Sequence, residues 1–321
     1  MTHGYLVRRL VQVPPAVLAI LATVFLLVQL APGDPILALA GETGDAAYFA
    51  EMRAKFGLDR PLAEQFPSFV INLTRLDVGI SYLHGRPAMD VILERVPATL
   101  LLTGSALALS SVVGVLLGVL AARFVDRGID LGIRLLTLAL HATPAFWLAQ
   151  LLVLVLGLAL GLLPVSGMTS ARAPAGGFEG VLDVLRHLVL PVAVLASMEV
   201  AVVARLTRTA LLDELGRDYV RTARAKGRSE TGALTRHALR LALLPVVAVL
   251  GGRVGQLLAG SVVVEAVFGW PGVGRLLLTS VQARDLPIVL GVLLLIAVGV
   301  VLANLVTDLV HARLDPRIRL A

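Results

Sequence analysis

Residues 97–122 read PATLLLTGSALALSSVVGVLLGVLAA, a run of 26 residues without a charged side chain. About 20 apolar residues are enough to cross a hydrocarbon core roughly 30 Å thick. Lipid offers no hydrogen-bond partner to an exposed peptide group, so a segment that crosses it must pair its own backbone as a helix. This stretch therefore predicts a transmembrane helix.

Five further apolar runs in the chain have the same character. They cover residues 10–31, 135–164, 188–204, 241–264 and 286–306. The composition agrees, because 57% of all residues are hydrophobic and only 16% are charged, whereas charged residues make up about a quarter of an average soluble domain. We therefore predict an all-α integral membrane protein with six transmembrane helices.

The first of these runs, at residues 10–31, follows Arg8 and Arg9, as the apolar core of a cleaved signal peptide would. Its 22 residues are more than the ~7–15 residues of such cores. An uncleaved first span is therefore expected.

The distribution of Lys and Arg predicts the orientation, because short cytoplasmic loops retain cations. With the N-terminus inside, 17 of the 28 Lys and Arg fall on inner segments and 10 on outer ones. Six of those 10 lie in residues 32–96, a loop long enough to be translocated regardless of its charge. Both termini are thus predicted to be cytoplasmic. Cation retention and attraction to lipid headgroups also explain the net charge of +6 without a nucleic-acid partner.

Two polar segments interrupt the apolar runs. Residues 32–96 predict a small extracytoplasmic insertion, with an amphipathic helix at residues 45–56 that stops at Gly57. Residues 205–240 predict a cytoplasmic loop and hold nine of the 28 Lys and Arg. A charged, helix-prone loop of this length on a membrane protein indicates a specific role.

The cytoplasmic loop at residues 205–240 is expected to form two short helices. The first covers residues 211–226 and ends at Gly227, which can adopt the left-handed conformation that closes a helix. Ser229 is placed to cap a second helix that runs to about Arg240. Two helices joined at a glycine would make a compact knob.

One face of the first loop helix carries small and apolar side chains at a spacing of three to four residues. They are Leu215, Tyr219, Thr222 and Ala223, and basic residues flank them. Such a face suits a groove in a partner protein. Its basic flanks equally suit a helix hairpin lying on anionic headgroups, so the pattern alone leaves both interpretations open.

The order of residues in this loop carries a resemblance to a known family. The blocks are Asp218-Tyr219-Val220-Arg221-Thr222-Ala223-Arg224-Ala225-Lys226-Gly227, Arg236-His237-Ala238-Leu239-Arg240 and Leu243-Leu244-Pro245-Val246. They resemble the coupling-loop signature, the EAA motif, of bacterial ABC importer permeases, in the form found in the dipeptide, oligopeptide and nickel group.

Blocks outside the loop resemble the same group and extend the similarity over essentially the whole chain. They are Leu30-Ala31-Pro32-Gly33-Asp34-Pro35, Gly57-Leu58-Asp59-Arg60-Pro61, Arg95-Val96-Pro97-Ala98-Thr99-Leu100, Glu265-Ala266-Val267-Phe268, Trp270-Pro271-Gly272-Val273-Gly274, Ala283-Arg284-Asp285-Leu286-Pro287 and Leu314-Asp315-Pro316-Arg317. The resemblance implies that residues 1–321 form a single ABC-importer-type transmembrane domain in the bacterial inner membrane.

The resemblance further implies the partners of the chain. It would be the first of two related permease subunits, and would bind a second homologous permease, two ATPase subunits and an extracytoplasmic substrate-binding protein. The residues that would couple it to the ATPases are Asp218, Tyr219, Arg221, Thr222, Ala223, Arg224, Ala225, Lys226 and Gly227. ATP and Mg are expected in the partner ATPases, and no cofactor or metal is expected in this chain.

The absence of a phosphate-binding loop agrees with separate ATPase subunits. The motif G-x-x-x-x-G-K-[ST] requires a lysine after a glycine, whereas Lys55 and Lys226, the only two lysines, both follow alanine. The sequence also lacks the H-E-x-x-H and G-x-S-x-G motifs of membrane-embedded hydrolases. The chain is therefore not expected to be an enzyme.

The function implied by the resemblance is ATP-driven import of dipeptides or oligopeptides, with ATPase movement coupled to alternating access. The same machinery could instead import a nickel chelate or another small solute. An ion-coupled secondary transporter is a further alternative, and it would work without an ATPase.

Glu199 and Arg253 are ionisable residues well inside the predicted spans, where charges are costly and tend to face a bundle interior or a watery path. One hypothesis is that they line the translocation path with Gln256 and contact the solute. The other is that they pair with each other and lock the fourth and fifth spans. His141, in the third span, is expected to form a hydrogen bond between helices.

The outer end of the fifth span contains Glu265, Trp270, Pro271 and Gly272. This segment is a candidate outer gate or re-entrant turn. The alternative is simple anchoring of Trp270 at the membrane interface, where indole rings are enriched.

Overall fold

The computed structural model describes residues 46–55, 59–74, 77–170 and 176–314, together with parts of 11–26. The bounds of its helices are α1 Ala46–Lys55, α2 Leu62–Thr74, α3 Ala88–Arg123, α4 Gly128–Ala142, α5 Ala145–Leu152, α6 Gly177–Leu215, α7 Asp218–Ala225, α8 Glu230–Ala233, α9 Leu239–Gly252, α10 Val254–Val267, α11 Val273–Gln282 and α12 Leu286–Leu314. Two π-helical segments, Val153–Ala159 and Leu234–Ala238, follow α5 and α8. Within the described residues the only β pairing is an isolated bridge between Ile80 and Pro87.

The predicted all-α membrane fold is confirmed, with a different number of spans in the part that the structure describes. Four helical stretches there are long and apolar enough to cross a membrane: α3, α6, Glu230–Gly252 and Leu286–Thr307. A fifth is present if the bent pair α4 and α5 counts as one span. The predicted first span, residues 10–31, lies only partly within the described residues.

The span predicted at residues 135–164 is not one continuous helix. The chain bends by 102° between α4 and the helix that starts at Ala145. Proline disfavours the helical conformation of the residue before it, and Thr143, before Pro144, is extended with φ −80° and ψ 124°. An apolar run that contains proline therefore does not guarantee a continuous span.

The fourth and fifth spans also differ from their predicted bounds. Helix α6 has 39 residues, where the apolar run 188–204 predicted a short span. At ~1.5 Å per residue it is longer than a bilayer is thick, so part of it extends beyond the lipid. The run 241–264 is broken at Arg253, where α9 ends and α10 begins.

The chain forms two compact units. Among the described residues, the larger comprises residues 100–270 and 302–314, and the smaller comprises the residues up to 99 together with residues 271–301. In the smaller unit, Val91 and Ile92 of α3 pack with Ile288 and Val292 of α12 in one hydrophobic cluster. Helix α1 confirms the helix predicted at residues 45–56, and its predicted stop at Gly57 lies outside the described residues.

Helix α6 is the centre of the larger unit. Helix α3 lies directly against it at two glycines, since a Cβ added at Gly114 would come within 2.5 Å of the side chain of Val203. At Gly118 the same addition would come within 2.6 Å of the Ala204 carbonyl oxygen. Any larger residue at these positions would force the helices apart, because packed interiors have no spare volume.

Candidate functional site

The candidate coupling loop begins where α6 ends and is built around a closed helix C-terminus at Gly227. Gly227 has φ +83°, a left-handed conformation that glycine adopts without a Cβ penalty. Its N–H donates to the Arg224 carbonyl oxygen at 2.9 Å, and the N–H of Arg228 donates to that of Ala223 at 3.2 Å. These two bonds form a Schellman motif and confirm the predicted helix stop.

The second loop helix is capped as the sequence predicts. The Ser229 side chain accepts a hydrogen bond from the backbone N–H of Gly232 at 3.2 Å. This bond satisfies a donor that the first turn of a helix leaves free. The helical chain then continues through Leu234–Ala238 into α9, so the knob joins the next span without a loop.

The prediction of one helix over residues 211–226 is wrong. Helix α6 itself continues to Leu215, and the chain then breaks at Gly216 and Arg217 before α7 begins. Arg217 is extended, with ψ 149°, and glycine weakens a helix interior. The first five residues of the predicted helix therefore belong to the end of α6.

The knob is fixed to the spans by a hydrophobic cluster. Its buried members are Ala122 of α3, Leu211 of α6, Val220 of α7, Ala233 of α8, Leu234 and Ala238 of the π-helical segment, and Ala242 of α9. Val220, Ala233 and Ala238 have no exposed surface. Packing of this density prevents independent movement of the short helices.

The outward surface of the knob carries most of the predicted coupling residues. Those exposed are Asp218, Tyr219, Arg221, Thr222, Arg224, Ala225, Lys226 and Gly227. Ala223 is the exception, because only 8% of its surface is exposed and it points into the protein. The predicted small-residue face is therefore divided, with Thr222 outside and Ala223 inside.

Tyr219 is held in place on the outward surface by a hydrogen bond to the end of α6. Its hydroxyl donates to Glu214 Oε2 at 2.6 Å. Burial of the ring, and then this bond to a carboxylate, raise the pKa of Tyr219 to about 12. The phenol is therefore neutral at physiological pH and acts as a hydrogen-bond donor.

The fold brings Glu199 and Arg253, which lie in the fourth and fifth predicted spans, into direct contact. Arg253 donates to Glu199 through Nε, and through Nη2 to Oε1 at 3.0 Å. Glu199 is 5% exposed and Arg253 is 22% exposed, so the bidentate pair lies mostly out of water. Gln256, one turn further along α10, is exposed.

Arg253 is also the residue at which the fifth predicted span breaks. It lies between α9 and α10 with φ −90° and ψ −4°. Two residues earlier, a Cβ at Gly251 would come within 2.0 Å of the Thr307 hydroxyl oxygen, so α9 packs closely against this side chain of α12. The ion pair thus links α6 to the irregular backbone between α9 and α10, and α9 also packs against α12.

A second buried ion pair was not predicted from the sequence. Arg208 of α6 donates to Asp130 of α4 through Nε and Nη2, both at 2.7 Å. Asp130 is completely buried, and it also accepts from the backbone N–H of Asp126 at 3.2 Å. The partners are 78 residues apart, so no local pattern joins them. The only local signal is Arg134, one helical turn after Asp130.

Replacing Asp130 with Asn is expected to lower the free energy of unfolding by about 2–3 kcal/mol, because it leaves a largely buried guanidinium without its carboxylate. The exposed pair Arg86–Glu94 provides a control, with side chains 44% and 52% exposed. Glu94→Gln should cost less than about 1 kcal/mol. Unfolding in mixed detergent micelles measures both, and equal losses would contradict a special role for the buried pair.

His141 and the outer end of α10 are two further positions that the sequence singles out. His141 Nδ1 lies 3.4 Å from the carbonyl oxygen of Met198, which confirms the predicted contact between helices. Glu265 and Trp270 are both completely buried. The backbone N–H of Trp270 donates to the Glu265 carbonyl oxygen at 2.9 Å. A fully buried indole does not lie in the lipid interface, so anchoring by Trp270 is ruled out as its role in this fold.

The chain matches two family models that together cover almost its whole length. Residues 114–320 match the model described as "Binding-protein-dependent transport system inner membrane component". Residues 2–103 match "Binding-prot-dependent transport system membrane comp, N-term".

Two curated relatives show the extent of the similarity. The dipeptide transport system permease protein DppB of Escherichia coli strain K12 is 38% identical over 335 residues, with 98% of each chain covered. The di/tripeptide transport system permease protein DppB of Pseudomonas aeruginosa is 38% identical over 331 residues, also with 98% of each covered.

Solved structures show the same fold at lower identity. A crystal structure of an amino acid ABC transporter with histidines aligns with a TM-score of 0.53 and 17% identity, over 70% of this chain and 94% of that one. The MetNI methionine ABC transporter in inward-facing conformations aligns with a TM-score of 0.54 and 18% identity, over 71% and 97%. The chain therefore belongs to the family of inner membrane components of binding-protein-dependent transport systems.

Proposed function

We propose that this chain is one of two permease subunits of an ATP-driven importer of dipeptides or oligopeptides. The observation that carries the ATP-driven part is the knob of α7 and α8, packed into the spans on one side and exposed along the predicted motif on the other. The peptide substrate rests on the names of the relatives that are 38% identical over the full chain. On this proposal residues 1–321 act as one transmembrane domain, with residues 32–96 as an insertion and 205–240 as the coupling loop.

The knob supplies the mechanical link in this mechanism. Its exposed face, which includes Tyr219 and Thr222, enters a groove on a partner ATPase that binds ATP and Mg. Because Val220 is completely buried against the spans, a displacement of the knob becomes a rigid-body displacement of the helices that it joins. A second permease and a second ATPase form the other half of the machine, and a binding protein delivers the solute from outside.

The pair Glu199–Arg253, with exposed Gln256, is proposed to face the translocation path. A peptide carries one carboxylate, which can replace Glu199 as the partner of Arg253, and one ammonium, which can replace Arg253 as the partner of Glu199. Ionisable groups at membrane depth are retained for such pathways. A chelate of nickel or another small solute remains the alternative cargo, because the binding protein makes the first selection.

The segment with Glu265, Trp270, Pro271 and Gly272 is proposed as the outer gate. Glu265 and Trp270 are completely buried, and the N–H of Gly167 donates to the Phe268 carbonyl oxygen at 2.8 Å. This bond braces the end of α10 against the loop after the π-helical segment. A braced turn can close a path without depending on mobile side chains.

The proposed orientation, with both termini in the cytoplasm, predicts which positions reagents reach in intact cells. The chain contains no cysteine, so a single introduced thiol reports without background. A cysteine at exposed Leu83 should react with a membrane-impermeant maleimide in cells whose inner membrane is intact. A cysteine at exposed Thr222 should react only after that membrane is opened. Labelling of Thr222→Cys in intact cells would show that the orientation is the opposite of the proposed one.

Transport by the reconstituted complex tests the function. The chain is assembled with a second permease, ATPases and a binding protein in liposomes, and radiolabelled dipeptide uptake is followed with ATP. We expect accumulation only when ATP and the ATPases are present. Uptake that persists without the ATPases would instead identify an ion-coupled transporter. Uptake of a nickel chelate without uptake of peptide would show that the chelate, and not a peptide, is the transported solute.

A further inference from the structure

A cavity of about 320 Å³ lies between α4 and α6 in the larger unit. Its floor is formed by Thr137, Ala201 and Ala204, which are all less than 9% exposed. The Thr137 hydroxyl donates to the carbonyl oxygen of Ile133 on its own helix. Since small or internally bonded side chains form this floor, the cavity presents a mainly apolar surface.

One end of the cavity is strongly basic. Arg134, Arg205 and Arg208 line it there, and Asp130 is the carboxylate beside them, bonded to Arg208 and 3.4 Å from Arg134. Within the described part of the chain, no carboxylate lies within 4.0 Å of the exposed Arg205 guanidinium. Asp126, whose backbone N–H donates to Asp130, is a second carboxylate that acts on Arg208. Three guanidiniums against two carboxylates still leave a net positive charge for an anion to neutralise.

The other end of the cavity lies deeper along α4. His141 lines it seven residues beyond Arg134, which is ~10 Å along a helix. Between them Ile133 and Leu138 contribute apolar wall, and Leu131 and Leu135 on α4 are at least half exposed. Such exposed leucines suit contact with hydrocarbon, so we place the cavity beside the lipid.

These features together match an amphiphile with an anionic head and a hydrocarbon tail. A free inorganic anion would gain from the arginines but nothing from the apolar wall. A zwitterionic lipid would place its own cation near the guanidiniums. Basic pockets between transmembrane helices on the cytoplasmic side suit anionic headgroups, because each nearby Lys or Arg adds attraction.

We propose that this cavity is a binding site for one anionic glycerophospholipid of the cytoplasmic leaflet. Its phosphate binds Arg134 and Arg205, and one acyl chain lies along α4 and α6 towards His141. The Asp130–Arg208 pair holds the two helices apart at the correct spacing. The site goes beyond the import function, since neither the knob nor the Glu199–Arg253 pair belongs to it.

Lipid retention by the purified full-length chain tests the site. Phosphatidylglycerol and phosphatidylcholine with identical acyl chains are titrated in neutral detergent, and bound lipid is counted by native mass spectrometry. We expect phosphatidylglycerol to bind at least about fivefold more tightly, and Arg205→Gln to weaken it about fivefold. Arg205→Lys keeps the charge and should retain most of the affinity.

The matched control is Arg186→Gln, an exposed arginine at the opposite end of the same helix α6, which should leave lipid affinity unchanged. Melting temperatures verify that each variant is folded. Equal affinity for the two lipids would overturn the proposal, as would equal losses in the Arg186 and Arg205 variants. Displacement of the lipid by millimolar inorganic phosphate would identify a free-anion site, and loss of lipid on assembly with a second permease would identify a subunit interface.

Discussion

Gly227→Val is expected to lower ATP-driven uptake by at least about tenfold while the chain still inserts in the membrane. Gly227 has φ +83°, and a β-branched residue in such a conformation costs about 1–3 kcal/mol. A cost of that size shifts the population of the closed loop by about tenfold. Uptake and ATPase stimulation by substrate are measured together in the reconstituted complex.

The control at the same position is Gly227→Asn, because asparagine tolerates the left-handed region better than other residues with a side chain. No atom lies within 4 Å of a Cβ built at Gly227, so the two variants differ in backbone strain and not in clashes. Asn should therefore retain most of the transport. Normal uptake by the Val variant would exclude the Schellman motif as a requirement for coupling.

Arg253→Gln is expected to lower the free energy of unfolding by about 3–5 kcal/mol, because it leaves the buried carboxylate of Glu199 unpaired in a non-aqueous interior. Glu199 is only 5% exposed, so water does not replace the lost partner. Denaturation in mixed micelles measures the loss. A change below about 1 kcal/mol, the size for an exposed pair, would contradict the buried pair.

The doubly neutral variant Glu199→Gln with Arg253→Gln separates stability from transport. Replacing both members removes the unpaired charge, so we expect most of the lost stability to return. If the two side chains contact the solute, uptake should stay low although the complex assembles and its ATPases bind. Recovery of both properties would leave the pair with a structural role alone and would remove it from the translocation path.

Local chemistry explains why parts of this fold follow from the sequence. Gly227 and Ser229 were predicted correctly because a left-handed C-terminus and a side-chain cap each depend on a few adjacent residues. The bend before Ala145 was missed because an apolar count takes no account of Pro144. Pro144 does restrict the backbone of the residue before it, but a count of apolar residues does not register that restriction.

The long-range pairs show where sequence reasoning ends. Glu199 and Arg253 were recognised as candidates because charges are rare in spans, and only the fold decides that they meet. Asp130 could not be recognised in this way, because it precedes the apolar run and resembles an ordinary aspartate in the first turn of a helix. Hydropathy also placed the end of the fourth span at Ala204, whereas the helix continues to Leu215. Arginine and leucine favour helix in water as well as in lipid, so the lipid boundary and the helix end differ.

Helix α6 contains neither proline nor glycine between residues 192 and 215, and Pro191 lies on the far side of Glu199. The stretch from Leu215 to Glu199 spans 16 residues, or ~24 Å, without a point at which a helix readily kinks. It therefore acts as a stiff lever arm with the knob at one end and the buried carboxylate near the other. A tilt imposed at Leu215 would change the distance between Glu199 and Arg253 directly, so under the proposed function the stroke of a partner ATPase would open an ion pair deep in the membrane.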